Sequence, residues 1–529
     1  MRNLPSQGEL TQRFNRISYL WYVPVAVAAL GLLLYSCCKS IDYTLYDELD
    51  RQIMVGENVP LLAVGVILSL LFIKVWMDRL APKLPAAIHP LLPLIVCAVV
   101  SLWLIFSVRG LAVNDALTMD GITNRFMQGD YSDFTMPGGY LYSKSHQIGY
   151  LVYETVMYRL FGASNFRAYQ LVNLLGILVT LYLLARIARE LFEDERTFQL
   201  TCLLCCGMLY LFVYSTHVYN DIPSLPLQAA AMYLQLRYLR TGKIRYELTA
   251  GITLALGYMI KTNVLISLVA MIIMLLLETL RRLRSDGPAS GKLQPVFFAV
   301  YLTVLCLGLM NIVRGYYTRL AGIDTFPPGE PMSTYVAMSL QETEEGQSGW
   351  YNGYNARIFA ENGFDHEQTD AAVRMDISQR LNELAQDPSH MAYFFAKKFL
   401  TQWGDASCIS MRNLELTSRH VEGHSALTDS VLYGRGRTVF YQIMNVFQTV
   451  CFLGFMIYCI DALRRHTFPA AQSFLILFIF GGMLFHEFWE ASSRYTMRYY
   501  VFFVPFAAYG ITRLLSLLPG ASAKGGPAV

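Results

Sequence analysis

The chain has 529 residues, of which 54% are hydrophobic and 15% charged, against about 25% charged in a typical soluble protein. Lysine and arginine total 42 and aspartate and glutamate 39, so the net charge at pH 7 is only +3. These values exclude a disordered chain and a nucleic-acid-binding protein that works through bulk positive charge. They also disfavour a soluble enzyme and predict a multi-pass membrane protein with substantial mass outside the membrane.

Apolar runs predict an all-α polytopic membrane protein with about 12 transmembrane helices of about 20 residues each. The spans are expected near 18–38, 60–77, 88–107, 167–187, 198–215, 222–239, 247–260, 263–280, 295–313, 438–460, 469–486 and 497–517. No cleavable signal peptide is evident, so the first run is predicted to remain as a span.

The cysteines indicate packing rather than chemistry. Cys202, Cys205 and Cys206 lie inside an apolar run, where small polarisable side chains pack between helices. Cys408 stands alone in a polar loop, and a single exposed cysteine cannot build a disulfide framework.

Positive charge in alternate loops predicts the orientation of the spans. The cation-rich loops carry Arg2, Arg13, Arg16, Arg79, Lys83, Arg186, Arg189, Arg196, Arg237, Arg240, Lys243, Arg245, Arg281, Arg282, Arg284, Arg464 and Arg465. The intervening loops are poor in cations, and one is acidic (Asp42, Asp47, Glu48, Asp50). Both termini are therefore predicted to be cytoplasmic, in a plasma membrane.

This topology leaves two large segments on the extracytoplasmic side. The predicted division is two N-terminal spans (1–87), a membrane core (88–313) with an extracytoplasmic loop at 108–166, an extracytoplasmic segment (314–437), and three C-terminal spans with a short cytoplasmic tail (438–529). Amphipathic helices are predicted at 369–386 and 389–402. The segment before them is rich in proline, glycine and aromatics, and either packs as a cap or covers a substrate as a lid.

Two acids lie where predicted spans meet the extracytoplasmic side. Asp115 follows the third span by a few residues, which places its carboxylate to accept a proton from a hydroxyl. Its alternative role is to cap a helix at 116–128. Asp221 precedes Ile222-Pro223, a pattern that capping of a helix would also explain.

Three cations on the same side go against the charge bias of the loops. Lys144, Lys261 and Arg494 are predicted to bind a phosphate, with His146 as a further donor. The alternative is that they anchor the helices at the membrane surface. His486 and Glu487 resemble a metal pair, but two ligands do not define a metal site.

The order of these motifs resembles a known family. It runs from "ND" at 114–115 through "GDYSDF", "SHQIGY" and "LFG" to "YND" at 219–221, "KTN" at 261–263 and "WEASSRY" before the last span. This order is similar to the GT-C membrane glycosyltransferases, specifically the family 39-like group of protein O-mannosyltransferases and lipid A aminoarabinose transferases. The resemblance covers roughly 88–517.

The resemblance implies inverting transfer of a sugar from a polyprenyl-phosphate donor to an acceptor glycan, lipid or protein on the extracytoplasmic face. It assigns Asp115 as general base and Asp221 to orienting the acceptor or sugar. Lys144, Lys261, Arg494 and His146 would bind the donor phosphate, and Gln147, Tyr219, Asn220, Glu490 and Tyr495 would orient substrates. No cofactor or metal is expected to be required; a divalent cation is compatible, although no residue pattern supports one. Relatives often have adjacent acids where this chain has Asn114-Asp115, and a proline where it has Ser145.

Three other classes of protein remain as alternatives. A transporter or flippase of a lipid-linked or anionic envelope substrate would place ionisable residues deep in its spans, whereas here they gather at one surface. A membrane acyltransferase would use a catalytic histidine, for which His146, His217 and His486 are candidates. A scaffold would use the extracytoplasmic segments to bind a protein.

Overall fold

A computed structural model describes residues 7–47, 50–283 and 289–517. The described residues are almost entirely helical, which confirms the predicted all-α class. The helices are α1 (Gln7–Cys38), α2 (Val59–Val75), α3 (Leu91–Val108), α4 (Asn114–Met127), α5 (Ser132–Thr135), α6 (Tyr140–Ser143), α7 (Ile148–Phe161), α8 (Phe166–Phe192), α9 (Glu195–Cys205), α10 (Leu209–Val213), α11 (Asp221–Thr241), α12 (Ile244–Ile260), α13 (Leu265–Leu283), α14 (Ala289–Lys292), α15 (Gln294–Ala321), α16 (Met332–Ser339), α17 (Tyr354–Glu361), α18 (His366–Gln386), α19 (Pro388–Trp403), α20 (Ser410–Ser418), α21 (Ala426–Tyr433), α22 (Arg435–Arg465), α23 (Ala470–Glu487), α24 (Ser493–Tyr500) and α25 (Phe503–Ser516).

The number of membrane-crossing helices is not confirmed as twelve. Within the described ranges, eight helices are long and apolar enough to cross a membrane, or nine if α9 and α10, bent by 48°, form one span. The sixth, seventh and twelfth predicted spans are present as α11, α12 and α25. However, α12 has 17 residues and α25 has 14, fewer than the roughly 20 that a full crossing needs. α11 is longer but carries two buried glutamines, Gln228 and Gln235.

Close helix contacts hold the bundle together. α11 packs between α8 and α12, and α22 packs between α1 and α25. α22 meets α25 at Gly454 and Gly510, where a Cβ on Gly510 would come within 1.8 Å of the Gly454 carbonyl oxygen. Because only glycine permits such an approach, these two positions bring the helix backbones into direct contact.

The cation-rich loops gather at one end of the bundle. Arg196 pairs with Asp78 at 2.8 Å, and Glu190 accepts from Arg237 at 3.2 Å and from Arg240 at 3.1 Å. Loops predicted to share a side are therefore neighbours. We call the other end, which carries Asp115, Tyr219, Lys261 and Arg494, the site end. Arg2, Arg284 and the predicted C-terminal tail lie outside the described residues.

The acidic loop between the first two spans forms a hairpin, which the sequence did not indicate. Strands β1 (Lys39–Tyr43) and β2 (Gln52–Gly56) pair antiparallel, with Lys39 opposite Gly56. Arg51, next to β2, lies 3.2 Å from Glu345 of the 314–437 segment. The hairpin therefore joins the two N-terminal spans to that segment. Glu48 falls outside the described residues.

The 314–437 segment covers the site end. Its predicted helices at 369–386 and 389–402 are present as α18 and α19, while α15 continues into the segment as far as Ala321. Two contacts fix it to the turn between α23 and α24. The Ala491 N–H donates to the Gly349 carbonyl at 2.7 Å, and the ammonium of Lys398 donates to the carbonyls of Ser339 and Glu487 at 2.8 Å each.

Cys408 is not the exposed thiol that the sequence predicted. It is 2% exposed, and its carbonyl accepts a 2.6 Å hydrogen bond from the Tyr214 hydroxyl. The polar residues around it belong to a buried turn, because their side chains bond to backbone and to one another. A local sequence pattern cannot distinguish such a turn from a surface loop.

Asp405 is the acceptor that closes this turn. Its carboxylate accepts from the Tyr43 hydroxyl at 2.9 Å, from the Ser493 hydroxyl at 2.7 Å and from the Ile409 N–H at 2.8 Å. It thereby joins the hairpin, the 314–437 segment and the first residue of α24.

We expect Asp405→Ala to lower the free energy of unfolding by about 3 kcal/mol, because several buried donors lose their acceptor. Thermal unfolding in lipid nanodiscs would measure this. Glu361→Ala is the matched control, since that carboxylate is 60% exposed at 4.0 Å from Arg357 and should contribute nothing measurable. Equal unfolding temperatures for the two variants would contradict the assignment.

Candidate active site

A cavity of about 410 Å³ opens at the site end. Its walls come from the start of α4, the loop before α7, the turns before α11 and after α12, the 314–437 segment and the turn leading into α24. The predicted site residues that line it are Asp115, Lys144, His146, Gln147, Tyr219, Asn220, Lys261, Glu490, Arg494 and Tyr495. Asp221 lies behind the wall. Residues far apart in the sequence thus meet in one cavity.

Asp115 faces the cavity without a cation beside it. The backbone turns sharply at Asn114 (φ 51°), and α4 then begins with Asp115 in its first turn. Its carboxylate accepts from the Tyr219 hydroxyl at 3.4 Å and forms no ion pair with any described residue. It makes no capping hydrogen bond to α4, so the capping alternative is not supported. The Asp115 carboxylate therefore lines the cavity without a paired cation among the described residues.

Hydrogen bonds connect Asp115 to a lysine across the cavity wall. The Gln147 side-chain amide donates to the Tyr219 hydroxyl at 2.6 Å, and the Asn220 amide donates to the Gln147 oxygen at 3.1 Å. The Lys261 ammonium then donates to the Asn220 oxygen at 2.9 Å. Three residues predicted to orient substrates therefore orient one another, which fixes the wall before any substrate binds.

Asp221 is the buried centre of a charge cluster. It is 0% exposed, with the Lys261 ammonium 2.6 Å and the Arg494 Nε 3.7 Å from its carboxylate. Burial alone would raise the pKa of Asp221, but Lys261 and Arg494 outweigh it and lower the pKa to about 2. The capping alternative is not supported, because Asn220 occupies the cap position and no side chain caps α11. Contact with acceptor or sugar does not fit either, since Asp221 does not reach the cavity.

Lys261 is buried rather than anchored at a membrane surface. Only 7% of the residue is exposed, and its ammonium lies 5.7 Å from the ring centre of Tyr219 and 5.3 Å from that of Tyr495. Burial lowers the pKa of Lys261, Asp221 opposes this and Arg494 adds to it, so that the pKa is about 8. The ammonium is therefore charged at neutral pH but close to losing its proton.

Lys144 is held by the 314–437 segment. Its ammonium lies 3.0 Å from the carboxylate of Glu330, whose side chain is 1% exposed, and donates to the Tyr335 hydroxyl at 3.1 Å. The sequence did not single out Glu330 or Tyr335. The buried carboxylate of Glu330 thus balances the charge of Lys144.

The remaining predicted residues, His146, Glu490 and Tyr495, also line the cavity. Burial, with the positive charges of Lys144 and Lys261, lowers the pKa of His146 to about 3, so the ring is neutral and offers one N–H. Burial raises the pKa of Glu490, which also accepts from the Tyr495 hydroxyl at 3.3 Å. Glu490 is thus a second carboxyl group on the cavity wall.

Aromatic residues that the sequence did not identify form the wall next to the 314–437 segment. Tyr335 stacks on Trp489 with ring centres 5.0 Å apart and planes 9° apart, and Trp350 and Tyr351 lie beside them. Trp489 begins the WEASSRY motif, and the signal for the other three was the aromatic content of the stretch before α17. Aromatic faces of this kind suit the apolar face of a sugar ring or an isoprene unit.

Nothing in this site has the donor set of a metal centre. Over the three described ranges, no three histidine, cysteine, aspartate or glutamate side chains lie close enough together to hold a metal ion.

Comparison with known proteins finds a partial family match and a distant structural likeness. Residues 148–313 match the family described as dolichyl-phosphate-mannose-protein mannosyltransferase. A search of curated proteins finds no match. Among solved structures, the chain is similar to the archaeal oligosaccharyltransferase AglB from Archaeoglobus fulgidus in complex with an inhibitory peptide and a dolichol-phosphate. The identity is 14% and the TM-score 0.38, over 82% of this chain and 52% of that one, so this chain spans about half its length. The family match covers under a third of the chain and is similar in kind to the resemblance that the motifs indicated.

Variants of the Lys144–Glu330 pair distinguish a structural role of Lys144 from phosphate binding by Lys144. We expect Lys144→Met and Glu330→Gln each to cost about 3 kcal/mol of stability, because each leaves one buried charge unpaired. The double variant should cost less than the sum of the two, which thermal unfolding in nanodiscs would measure. Donor binding that falls in Lys144→Met but not in Glu330→Gln would instead support the predicted phosphate contact.

Proposed function

We propose that this protein transfers a sugar from a polyprenyl-phosphate donor to an acceptor hydroxyl in the cavity, with inversion at the anomeric carbon. One observation carries the proposal: an unpaired carboxylate, Asp115, and two cations, Lys261 and Arg494, face the same cavity. Inverting transfer needs this pair of features, a base for the acceptor and positive charge for the departing phosphate.

The residues divide into roles in this proposal. Asp115 removes the proton from the acceptor hydroxyl, and the Tyr219 hydroxyl holds its carboxylate in place. Lys261 and Arg494 bind the donor phosphate. Asp221 does not touch substrate; it holds the two cations together from behind.

The proposed side of the membrane for the cavity follows from the difference in charge between the two ends of the bundle. Lysine and arginine in short loops mark the cytoplasmic side of membrane proteins, and those loops meet at the end opposite the cavity. We therefore place the cavity on the extracytoplasmic face of a plasma membrane, where a prenyl tail remains in the bilayer while its phosphate reaches Lys261. The acceptor is a glycan, a lipid or a protein.

We expect Asp115→Asn to abolish transfer and to keep donor affinity within about threefold of wild type, because the amide preserves shape but cannot accept the proton. Purified enzyme in nanodiscs would be incubated with a panel of undecaprenyl-phosphate sugars and a cell-envelope extract as acceptor. Mass spectrometry would follow the release of undecaprenyl phosphate. Glu490→Gln is the control for the second carboxyl group, and turnover that survives in Asp115→Asn but not in Glu490→Gln would move the base to Glu490.

The titration of Lys261 predicts how kcat/KM for the donor depends on pH. Its ammonium is charged below a pKa of about 8 and neutral above it, so kcat/KM for the donor should fall by about tenfold per pH unit above this value. Asp221→Asn removes the negative charge that raises the pKa of Lys261, so the fall should start at lower pH. Lys261→Arg should remove the fall, because a guanidinium does not titrate in this range. A fall that persists unchanged in Lys261→Arg would assign it to another group.

A further inference from the structure

Arg498 is a buried cation without a negatively charged partner in contact. The residue is 1% exposed, and its guanidinium donates to the Gln228 side-chain oxygen at 3.0 Å and to the Ser224 hydroxyl at 3.2 Å. Both acceptors are neutral. No carboxylate of the described residues forms an ion pair with Arg498.

An arrangement of this kind is costly for a folded protein. A guanidinium keeps its proton when buried, and removing an unpaired charge from water costs several kcal/mol. Neutral acceptors recover only part of that cost. A buried cation of this kind behind the wall of a polar cavity points to a function for its charge.

Arg498 lies directly beneath the cluster around Asp221. Arg494 and Arg498 are four residues apart on α24, so their side chains project from the same face about one turn apart. On α11, Ser224 follows Asp221 by one turn, and its hydroxyl donates to the Asp221 carbonyl at 3.0 Å. The contact between Arg498 and Ser224 therefore places the guanidinium one helical turn behind the cavity wall.

Counting charges shows a surplus at this point. Lys261, Arg494 and Arg498 are positive, and Asp221 is the carboxylate that faces the first two. Two positive charges are left without a balancing carboxylate among these groups. Asp221 stabilises the cluster only in part, which leaves it suited to an anion that enters from the cavity.

We propose that Arg498 supplies, from one helical turn behind the cavity, positive charge that stabilises the phosphate as it leaves the sugar. This inference rests on the proposed function and adds a residue to it. Arg498 acts through the cluster and does not contact the substrate, so it is a positioning residue.

The charge balance of the reaction explains why two surplus positive charges suit this step. The donor is a phosphodiester with one negative charge. The bond between the anomeric carbon and the phosphate oxygen breaks, and its electron pair stays on that oxygen. The acceptor oxygen bonds to the anomeric carbon, and its proton passes to Asp115. The released phosphate monoester carries a charge of about −1.5 to −2 at pH 7. A surplus of two therefore matches the leaving group better than the donor, which is the condition for catalysis.

The first test compares two replacements of Arg498 in nanodiscs. We expect Arg498→Met to lower kcat about 100-fold, to change the donor KM less than about threefold, and to weaken inhibition by undecaprenyl phosphate about tenfold or more. Arg498→Lys keeps the charge and should stay within about tenfold of wild type in kcat. If the role of Arg498 were merely structural, both variants would lose activity to the same extent. KM would then change as much as kcat and product inhibition.

The second test keeps the arginine and cancels its charge. Gln228→Glu places a carboxylate of nearly the same shape 3.0 Å from the guanidinium, so kcat should fall as in Arg498→Met while the protein stays folded. Gln235→Glu is the matched control: it adds the same group about two turns further along α11, and product inhibition should keep its wild-type strength there.

The outcomes separate this inference from the function it rests on. If the wild type releases undecaprenyl phosphate and kcat is unchanged in Arg498→Met and Gln228→Glu, the role of Arg498 is overturned and the proposed function stays intact. An equal change in KM and kcat would also overturn it. Wild type that releases no phosphate from any donor, with envelope extract present, would overturn the proposed function and this inference together.

Discussion

Asp221, fully buried at the start of α11, holds the ammonium of Lys261 and the guanidinium of Arg494 at one point of the bundle. In a low-dielectric interior neither cation would be stable without it, and without them its own charge would be lost. The cluster also fixes three segments against each other: the start of α11, the turn after α12 and the start of α24. The cavity wall, including the hydrogen-bonded path to Asp115, is built on this contact.

The 314–437 segment and the hairpin complete the cavity wall that the helix bundle begins. The 314–437 segment contributes Glu330 and Tyr335, and Tyr335 stacks on Trp489 from the turn before α24. Asp405 joins that segment to the hairpin and to Ser493, the residue before Arg494. A change in the hairpin, far from the chemistry in sequence, would thus reach the cations through a short chain of buried contacts.

The structure changes the roles predicted for the site residues more than it changes which residues belong to the site. Lys144 was predicted as a phosphate ligand on its charge and position, yet Glu330 already pairs with it. Asp221 was predicted to touch substrate, yet it lies behind the cavity wall. Arg498 has no predicted role, and its setting becomes visible only through its neutral partners, Gln228 and Ser224. In each case the role depends on the partner, and the partner comes from a distant part of the chain.

The sequence by itself determined the helical membrane class, the separation of cation-rich loops from the site end, and ten residues of the cavity wall. These follow from local quantities: apolar runs, loop charge, and acids or cations at span ends. The tertiary structure alone decided which charges are paired, that Cys408 is buried, that residues 39–56 form a hairpin, and that Asp221 supports the cations. The physical reason is that the state of a charge inside a protein depends on the groups within a few ångströms of it, and those groups are separated by tens to hundreds of residues along the chain.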